Sequence, residues 1–214
     1  MWRTLLLLSL LSCCLAGSSS GTTYLVRPDG TGDYPTIQAA VTAAHAGDII
    51  ELADGTFTGN GNRDVSYLGK GITIRSRSGD PTRCVIDCEG SAQGSHRGFL
   101  FTHSEGSSAA LEGVTVARAY SIWGGGIHCM GPTVSPRITN CIFTGNASPG
   151  SEGGGICTES DAFPLITNCV FYGNSAACGG GLSVTNGMGT AGPTVVGCTF
   201  YDNYASSDGG GVRL

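Results

Sequence analysis

Ile138-Thr-Asn-Cys-Ile-Phe-Thr-Gly-Asn146, Ile166-Thr-Asn-Cys-Val-Phe-Tyr-Gly-Asn174 and Val195-Val-Gly-Cys-Thr-Phe-Tyr-Asp-Asn203 align without a gap. A degenerate copy, Leu111-Glu-Gly-Val-Thr-Val-Ala-Arg-Ala119, precedes them. Cys141, Cys169 and Cys198 are spaced 28 and then 29 residues apart. Each copy is followed by Gly-Gly and an aliphatic residue, at Ile127, Ile156, Leu182 and Val212, and Pro136, Pro164 and Pro193 each precede a copy by two positions. A period of this size, built from short β-type runs and Gly/Asn turns, is the signature of a solenoid. The absence of a helical stretch excludes a leucine-rich repeat, and each period is too short for a four-stranded propeller blade. The pattern predicts an all-β fold, a right-handed single-stranded parallel β-helix in which each repeat winds one coil of three short strands.

Coils of such a helix stack about 4.8 Å apart, so equivalent side chains fall on one another. The alignment predicts an aliphatic ladder (Leu111, Ile138, Ile166, Val195), a small-residue ladder (Val114, Cys141, Cys169, Cys198) and a stack of Val116, Phe143, Phe171 and Phe200. The Gly-Gly-aliphatic positions form a ladder on another wall. Asn140 and Asn168 fall at a corner, where Asn tolerates left-handed backbone angles and stacked amides can bond one another and the turn backbone. Gly197 takes that place in the third copy.

Working outward, Tyr24 to Pro35 reads as a strand followed by turns, and Thr36 to Ala46 carries Ile37, Ala40, Val41 and Ala44 at helical spacing. A short helix ahead of β coils caps an otherwise exposed solenoid end. Strands are expected around 48–52, 71–75, 84–87 and 98–101. The expected divisions are therefore a leader over 1–16, a cap with irregular first coils over 22–110, and regular repeats over 111–214. The last coil stops at Leu214 without a matching cap, which reads as a fragment whose downstream anchoring or sorting domain is missing.

The leader has a positive start at Arg3, an apolar run from Leu5 to Leu11 and a small-residue stretch from Ala16 to Ser20. That is the layout of a secretory signal cleaved after Ala16. Leu11-Ser12-Cys13-Cys14 loosely resembles a lipoprotein box, in which Cys13 would carry a lipid anchor. The protein is therefore expected to be exported, either secreted or held at the outer cell surface.

Gly makes up 36 of 214 residues and the net charge is −5. Hydrophobic residues reach 40% and charged ones only 13%, which excludes a charge-driven disordered chain. With Lys70 as the single lysine, no basic surface exists for a phosphate backbone, so no nucleic-acid partner is expected.

Two family resemblances follow. Tyr24 to Phe57, with Asp29-Gly-Thr-Gly-Asp-Tyr-Pro-Thr-Ile-Gln-Ala-Ala-Val41, resembles the opening of pectinesterases and other pectin-lyase-like β-helix proteins. Residues 111–214 resemble the repeats of the polymorphic outer-membrane protein family, with Phe-x-x-Asn at Phe143–Asn146, Phe171–Asn174 and Phe200–Asn203. The companion signature, Gly-Gly-x-aliphatic, ends at Ile127, Ile156, Leu182 and Val212. These motifs are stacking and turn residues, so the resemblance specifies fold more than function. It implies a surface-displayed or secreted β-helix, in the second family often adhesive.

Enzymes on the resembled fold need clustered carboxylates on one outer wall. From residue 91 onward the chain has seven carboxylates and no adjacent Asp pair, so no catalytic residue is carried over. Glu152 and Asp208 each precede a Gly triplet, two coils apart on one wall. They read as half of an acid/base or Ca²⁺ site or, preferably, as solvated turns. Glu159 and Asp161 could form a weak Ca²⁺ site, but no cofactor or metal is expected. His96, Arg97 and His103 lie near Phe99 and Phe101, where turn roles are preferred over binding an acidic sugar. His128 with Cys129 and Trp123 falls short of a zinc ligand set. Tyr172, Tyr201 and Tyr204 form the most suggestive outward group, an aromatic strip suited to sugar or protein contact, although cross-coil stacking alone is the preferred explanation of them.

Cys141, Cys169 and Cys198 point inward in parallel and read as buried free thiols. Pairings of Cys84 with Cys88, and of Cys157 with Cys178 or Cys129, stay open. Asn146-Ala-Ser148 matches a glycosylation acceptor. The leading expectation is a non-catalytic exported β-helix that binds a polysaccharide or a host or cell-surface protein. The alternative is a polysaccharide lyase, hydrolase or esterase whose active-site coils lie beyond Leu214, and a structural spacer is the third.

Overall fold

The computed structural model describes residues 21–185 and 192–214. The expected leader and Cys13 lie outside the described residues. The chain forms a parallel solenoid of about seven turns. A seven-stranded first wall contains Thr23–Val26, Ile49–Leu52, Thr73–Ser76, Ala110–Glu112, Arg137–Thr139, Leu165–Thr167 and Thr194–Val196. The six-stranded second wall contains Gly55–Phe57, Cys84–Asp87, Thr115–Ala117, Ile142–Thr144, Val170–Tyr172 and Thr199–Tyr201. The six-stranded third wall contains Val65–Ser66, Phe99–Phe101, Ile127–Met130, Ile156–Glu159, Leu182–Thr185 and Val212–Arg213. The sequence pattern predicts three strands per coil, but the later coils carry a fourth. Ala147–Glu152, Ser175–Cys178 and Tyr204–Asp208 form a three-stranded ridge between the second and third walls.

Alternation explains the walls. In a strand with one buried face every second side chain enters the core, and equivalent inward residues stack in register. Ile50, Ile74, Leu111, Ile138, Ile166 and Val195 make one continuous ladder. Phe57, Ile86, Val116, Phe143, Phe171 and Phe200 make the second. Val65, Phe99, Ile127, Ile156, Leu182 and Val212 make the third. The phenylalanine rings stack with centroids 4.8 Å apart for Phe143–Phe171 and 4.5 Å for Phe171–Phe200. Burying one such side chain contributes about 2–3 kcal/mol. In the last coil the ladders open to solvent, with Val195 39% and Val212 38% exposed.

The corners form as the sequence predicts, but their side chains do not. Asn140 and Asn168 have φ of 54° and Gly197 has φ of 64°, so each turns the chain in the left-handed region. The stacked buried amides belong instead to Asn146, Asn174 and Asn203, the last residues of the Phe-x-x-Asn signatures. Asn140 and Asn168 face solvent, and the Asn140 amide donates to Gly79 O at 2.9 Å. The left-handed turn aims the corner side chain outward, whereas the extended chain after Phe-x-x points its Asn into the core.

The Gly triplets are required because the ridge runs against them. A Cβ on Gly154 would sit 2.4 Å from Gly180 O and 2.5 Å from Ser175 O. No side chain fits between backbones at that approach.

At the N-terminal end the helix spans Ile37–Ala43, buries Ile37, Ala40 and Val41, and is N-capped by Thr36, whose hydroxyl accepts from Ala39 N. Two side chains satisfy backbone groups that such a cap would otherwise orphan. Gln38 pairs with the edge strand of the third wall as another strand would, accepting from Ser66 N at 2.8 Å and donating to Ser66 O at 3.2 Å. Lys70 Nζ donates to Val41 O, Thr42 O and Ala44 O at the helix C-terminus, all within 2.8 Å. The one lysine of the chain is thus a helix clamp.

Candidate functional site

Leu100, His128, Cys157, Ser183 and Arg213 stack in register on the third wall, one position after the core ladder. Alternation alone would place this row in solvent. His128, Cys157 and Ser183 are nevertheless buried. Glu152 ties the ridge to this row. Its Oε2 accepts from Ser183 Oγ at 2.5 Å, Thr185 Oγ1 at 2.6 Å and Arg213 Nη1 at 2.8 Å. Burial works to raise the Glu152 carboxyl, but the bonds from Ser183 and Thr185 and the Arg213 charge outweigh it, so its pKa is lowered.

His128 Nε2 meets Glu159 Oε1 at 2.9 Å. Desolvation and the nearby Arg97 charge lower the His128 pKa against the pull of Glu159, so its neutral form is favoured. Arg97 donates to Ser121 Oγ, Ile122 O and Trp123 O, fixing the chain that leads into the first Gly triplet. Burial pushes the Cys157 thiol up to about 12, which keeps it protonated and a poor nucleophile. The row is thus a network in which acids and bases are engaged with one another. Among the described residues no group of three or more His, Cys, Asp or Glu is placed to hold a metal.

The second wall differs in chemistry. On its three later coils the outward positions are Ile142, Thr144, Val170, Tyr172, Thr199 and Tyr201, none of them charged. The Tyr172 and Tyr201 rings stack with centroids 5.1 Å apart at 3°, and Tyr201 is 46% exposed. Stacking occupies the facing ring surfaces and presents edges and hydroxyls outward at the coil spacing. Tyr204, 64% exposed, stands around the corner on the ridge beside Pro149, Gly150 and Ser175.

A family model described as a right handed beta helix region matches residues 47–214. The chain belongs to this family. Right-handed β-helix proteins share the coil-on-coil architecture seen here, and the match takes in nearly all of it. No curated protein matches the sequence. Among solved structures, the chain is similar to a pectin methylesterase from carrot, with 17% identity and a TM-score of 0.37. That match covers 83% of this chain and 65% of the carrot protein, so the chain spans about two thirds of the carrot protein's length.

The residues singled out from the sequence separate into groups. Glu152 and Asp208 do lie two coils apart in register, with Cys178 between them. Glu152 is not a solvated turn residue, however, since three donors hold it. Glu159 faces His128. His96, Arg97 and His103 do not cluster. His96 Nδ1 meets Asp64 Oδ2 at 2.7 Å ahead of the Phe99–Phe101 strand, while His103 beyond it lies beside Thr102 and Glu105. All eight described cysteines are free, with Cys141 N donating to Cys169 Sγ and Cys169 N to Cys198 Sγ at 3.4 Å. Asn146 is fully buried and its amide is bonded, so the Asn146-Ala-Ser148 triplet is no acceptor in the folded chain. A cleft on the first wall, lined by Glu51, Arg75 and Arg77 among others, has no single motif that marks it in the sequence.

Proposed function

We propose that this right-handed β-helix is an exported, non-catalytic binding protein that holds a neutral polysaccharide along its second wall. The observation that carries the reading is the uncharged outer face of that wall's three later coils, beyond the Asp87–Arg118 ion pair on its earlier ones, with the stacked Tyr172–Tyr201 pair. Glycans are gripped through aromatic edges and faces together with hydroxyl hydrogen bonds, and need no charge. A flat face repeating at the coil spacing suits a polymer better than a small molecule. The engagement of His128, Glu159, Glu152 and Arg213 with one another supports binding rather than turnover. Export rests on the leader in the sequence, and a cell-surface protein is the competing ligand.

The test is retention of the protein on insoluble neutral polysaccharides, with released reducing ends scored in parallel. Retention on one glycan that is lost in the Tyr172→Ala/Tyr201→Ala variant, with its fold intact by circular dichroism, supports the reading. Retention that ignores both tyrosines, or release of sugar by the wild type, overturns it.

A further inference from the structure

The first wall carries a cleft of about 460 Å³, within the range of sites for small ligands. Its floor is a row of outward residues in register, Glu51, Arg75, Glu112 and Thr139. Its rim is the turn after the Thr73–Ser76 strand, which carries Arg77, Ser78 and Gly79. Three contacts fix that rim. Asn140 Nδ2 donates to Gly79 O at 2.9 Å, Ser78 Oγ to Asp54 Oδ1 at 2.6 Å, and Arg77 N to Leu52 O at 2.8 Å. The cleft is therefore preformed.

With Arg137, which meets Glu112 from outside the lining, its charges leave one arginine over. Glu51 is paired with Arg75 at 2.6 Å and Glu112 with Arg137 at 3.3 Å. Arg77, exposed at the rim, makes no ion pair among the described residues. Across Arg77 a hollow of about 280 Å³ holds Asp54, whose charge is met by Arg83 at 2.7 Å. One unbalanced guanidinium thus stands over a floor of hydrogen-bonding groups. The chain as a whole carries −5, so anions are not drawn to it non-specifically.

We propose that this cleft is a second binding site, separate from the tyrosine wall, for a small ligand that presents one carboxylate or sulfate beside several hydroxyl groups. Arg77 receives the anion, and the floor residues and the Asn140 carbonyl oxygen receive the hydroxyls. An arginine is suited to this because its planar fork meets either oxyanion with two hydrogen bonds.

Titration calorimetry at low ionic strength tests the site with three probes: glucuronate, glucose 6-sulfate and glucose. At least one anion is expected to bind about tenfold more tightly than glucose, as loss of one charge-assisted hydrogen bond implies. Which anion binds distinguishes carboxylate from sulfate as the source. Arg77→Gln should abolish the preference. Arg27→Gln removes one exposed charge elsewhere on the chain without touching the cleft lining or its ion pairs, and should keep it. Tyr201→Ala should also keep it, which separates this site from the neutral-glycan reading. Equal affinity for all three probes, no binding of any, or an anion preference that survives Arg77→Gln overturns the proposal.

Discussion

Oδ1 of Asn174 accepts both the backbone N–H and the side-chain amide of Asn146, each at 3.0 Å. The same pattern repeats one coil on, where Asn203 Oδ1 accepts from Asn174 N at 3.1 Å and Asn174 Nδ2 at 2.9 Å. Each amide also donates to the coil before it, Asn146 to Val116 O and Asn174 to Phe143 O. The final residue of the Phe-x-x-Asn signature is therefore a hydrogen-bonded spine between coils, and the phenylalanine three positions earlier is its apolar counterpart.

Removing the central rung should be costly. Asn174→Ala leaves the Asn146 backbone N–H, one hydrogen of its side-chain amide and Phe143 O without partners at buried positions and should destabilise the protein by about 3 kcal/mol. Asn168→Gly, at an exposed left-handed corner that already accepts Gly197 one coil later, should stay within about 0.5 kcal/mol of wild type. Denaturant melts of the two variants check the contrast. Equal losses would mean that the corner and the spine have been assigned to the wrong asparagines.

Glycine positions divide in the same way. Gly180→Ala places a Cβ 2.3 Å from Tyr204 O and should cost more than about 3 kcal/mol or prevent soluble folding, because backbone on both sides must move. Gly106 has open space around it, and Gly106→Ala should be neutral or stabilising by up to about 1 kcal/mol. Thermal melts on the pair decide it.

The buried thiols should be inert while the protein is folded. Burial pushes the Cys84 thiol, like Cys157, up to about 12, and it also raises Cys88 and Cys129. Alkylation at pH 8 followed by peptide mapping should mark partly exposed Cys178 first and leave Cys84, Cys129, Cys141, Cys157 and Cys169 unmodified until denaturant is added. Rapid native labelling of Cys157 would show that this row of the third wall opens to solvent in the folded protein.

Acid should act on the same wall. The His128 pKa in the fold is lowered from 6.5, so the unfolded chain binds its proton at higher pH than the folded one does. Stability is therefore undiminished above about pH 6.5 and declines as pH falls below it, towards the lowered folded value. A second decline should follow below about pH 3.8, where the unfolded chain protonates Asp48 before the fold does, because the backbone N–H groups of His45 and Thr22 lower its pKa in the folded protein. Denaturation midpoints from pH 8 to pH 5 should fall in the wild type and stay flatter in His128→Asn. Parallel slopes for the two proteins would remove His128 as the cause.

Much of the fold is legible in the repeats because the coils impose their spacing on the sequence. Ile138, Phe143 and Ile156 announce three core ladders through period and alternation alone. Less regular spacing in residues 22–110 conceals that Ile50, Phe57 and Val65 begin the same ladders, since turns of differing length separate their strands. The roles of Asn140 and Asn146 are exchanged in the sequence reading because both residue type and repeat spacing suit a ladder at either place. Only the backbone angle decides which amide turns inward. The network around Glu152 and the cleft at Arg77 join residues from several coils, so their neighbours become visible only once the register is known. The tyrosine pair is the opposite case, since equivalent positions in adjacent copies must stack.

The central functional claim is that the uncharged later coils of the second wall bind a glycan. Its most direct test is a depletion isotherm on the neutral insoluble polysaccharide that retains the protein, measured for the wild type and for Tyr172→Ala/Tyr201→Ala, with Asn168→Gly as the folded control. The account predicts saturable binding by the wild type and the control, and an affinity at least about tenfold weaker in the double variant, since each tyrosine hydroxyl contributes a hydrogen bond worth about 1 kcal/mol. Superimposable isotherms for the three proteins would contradict it.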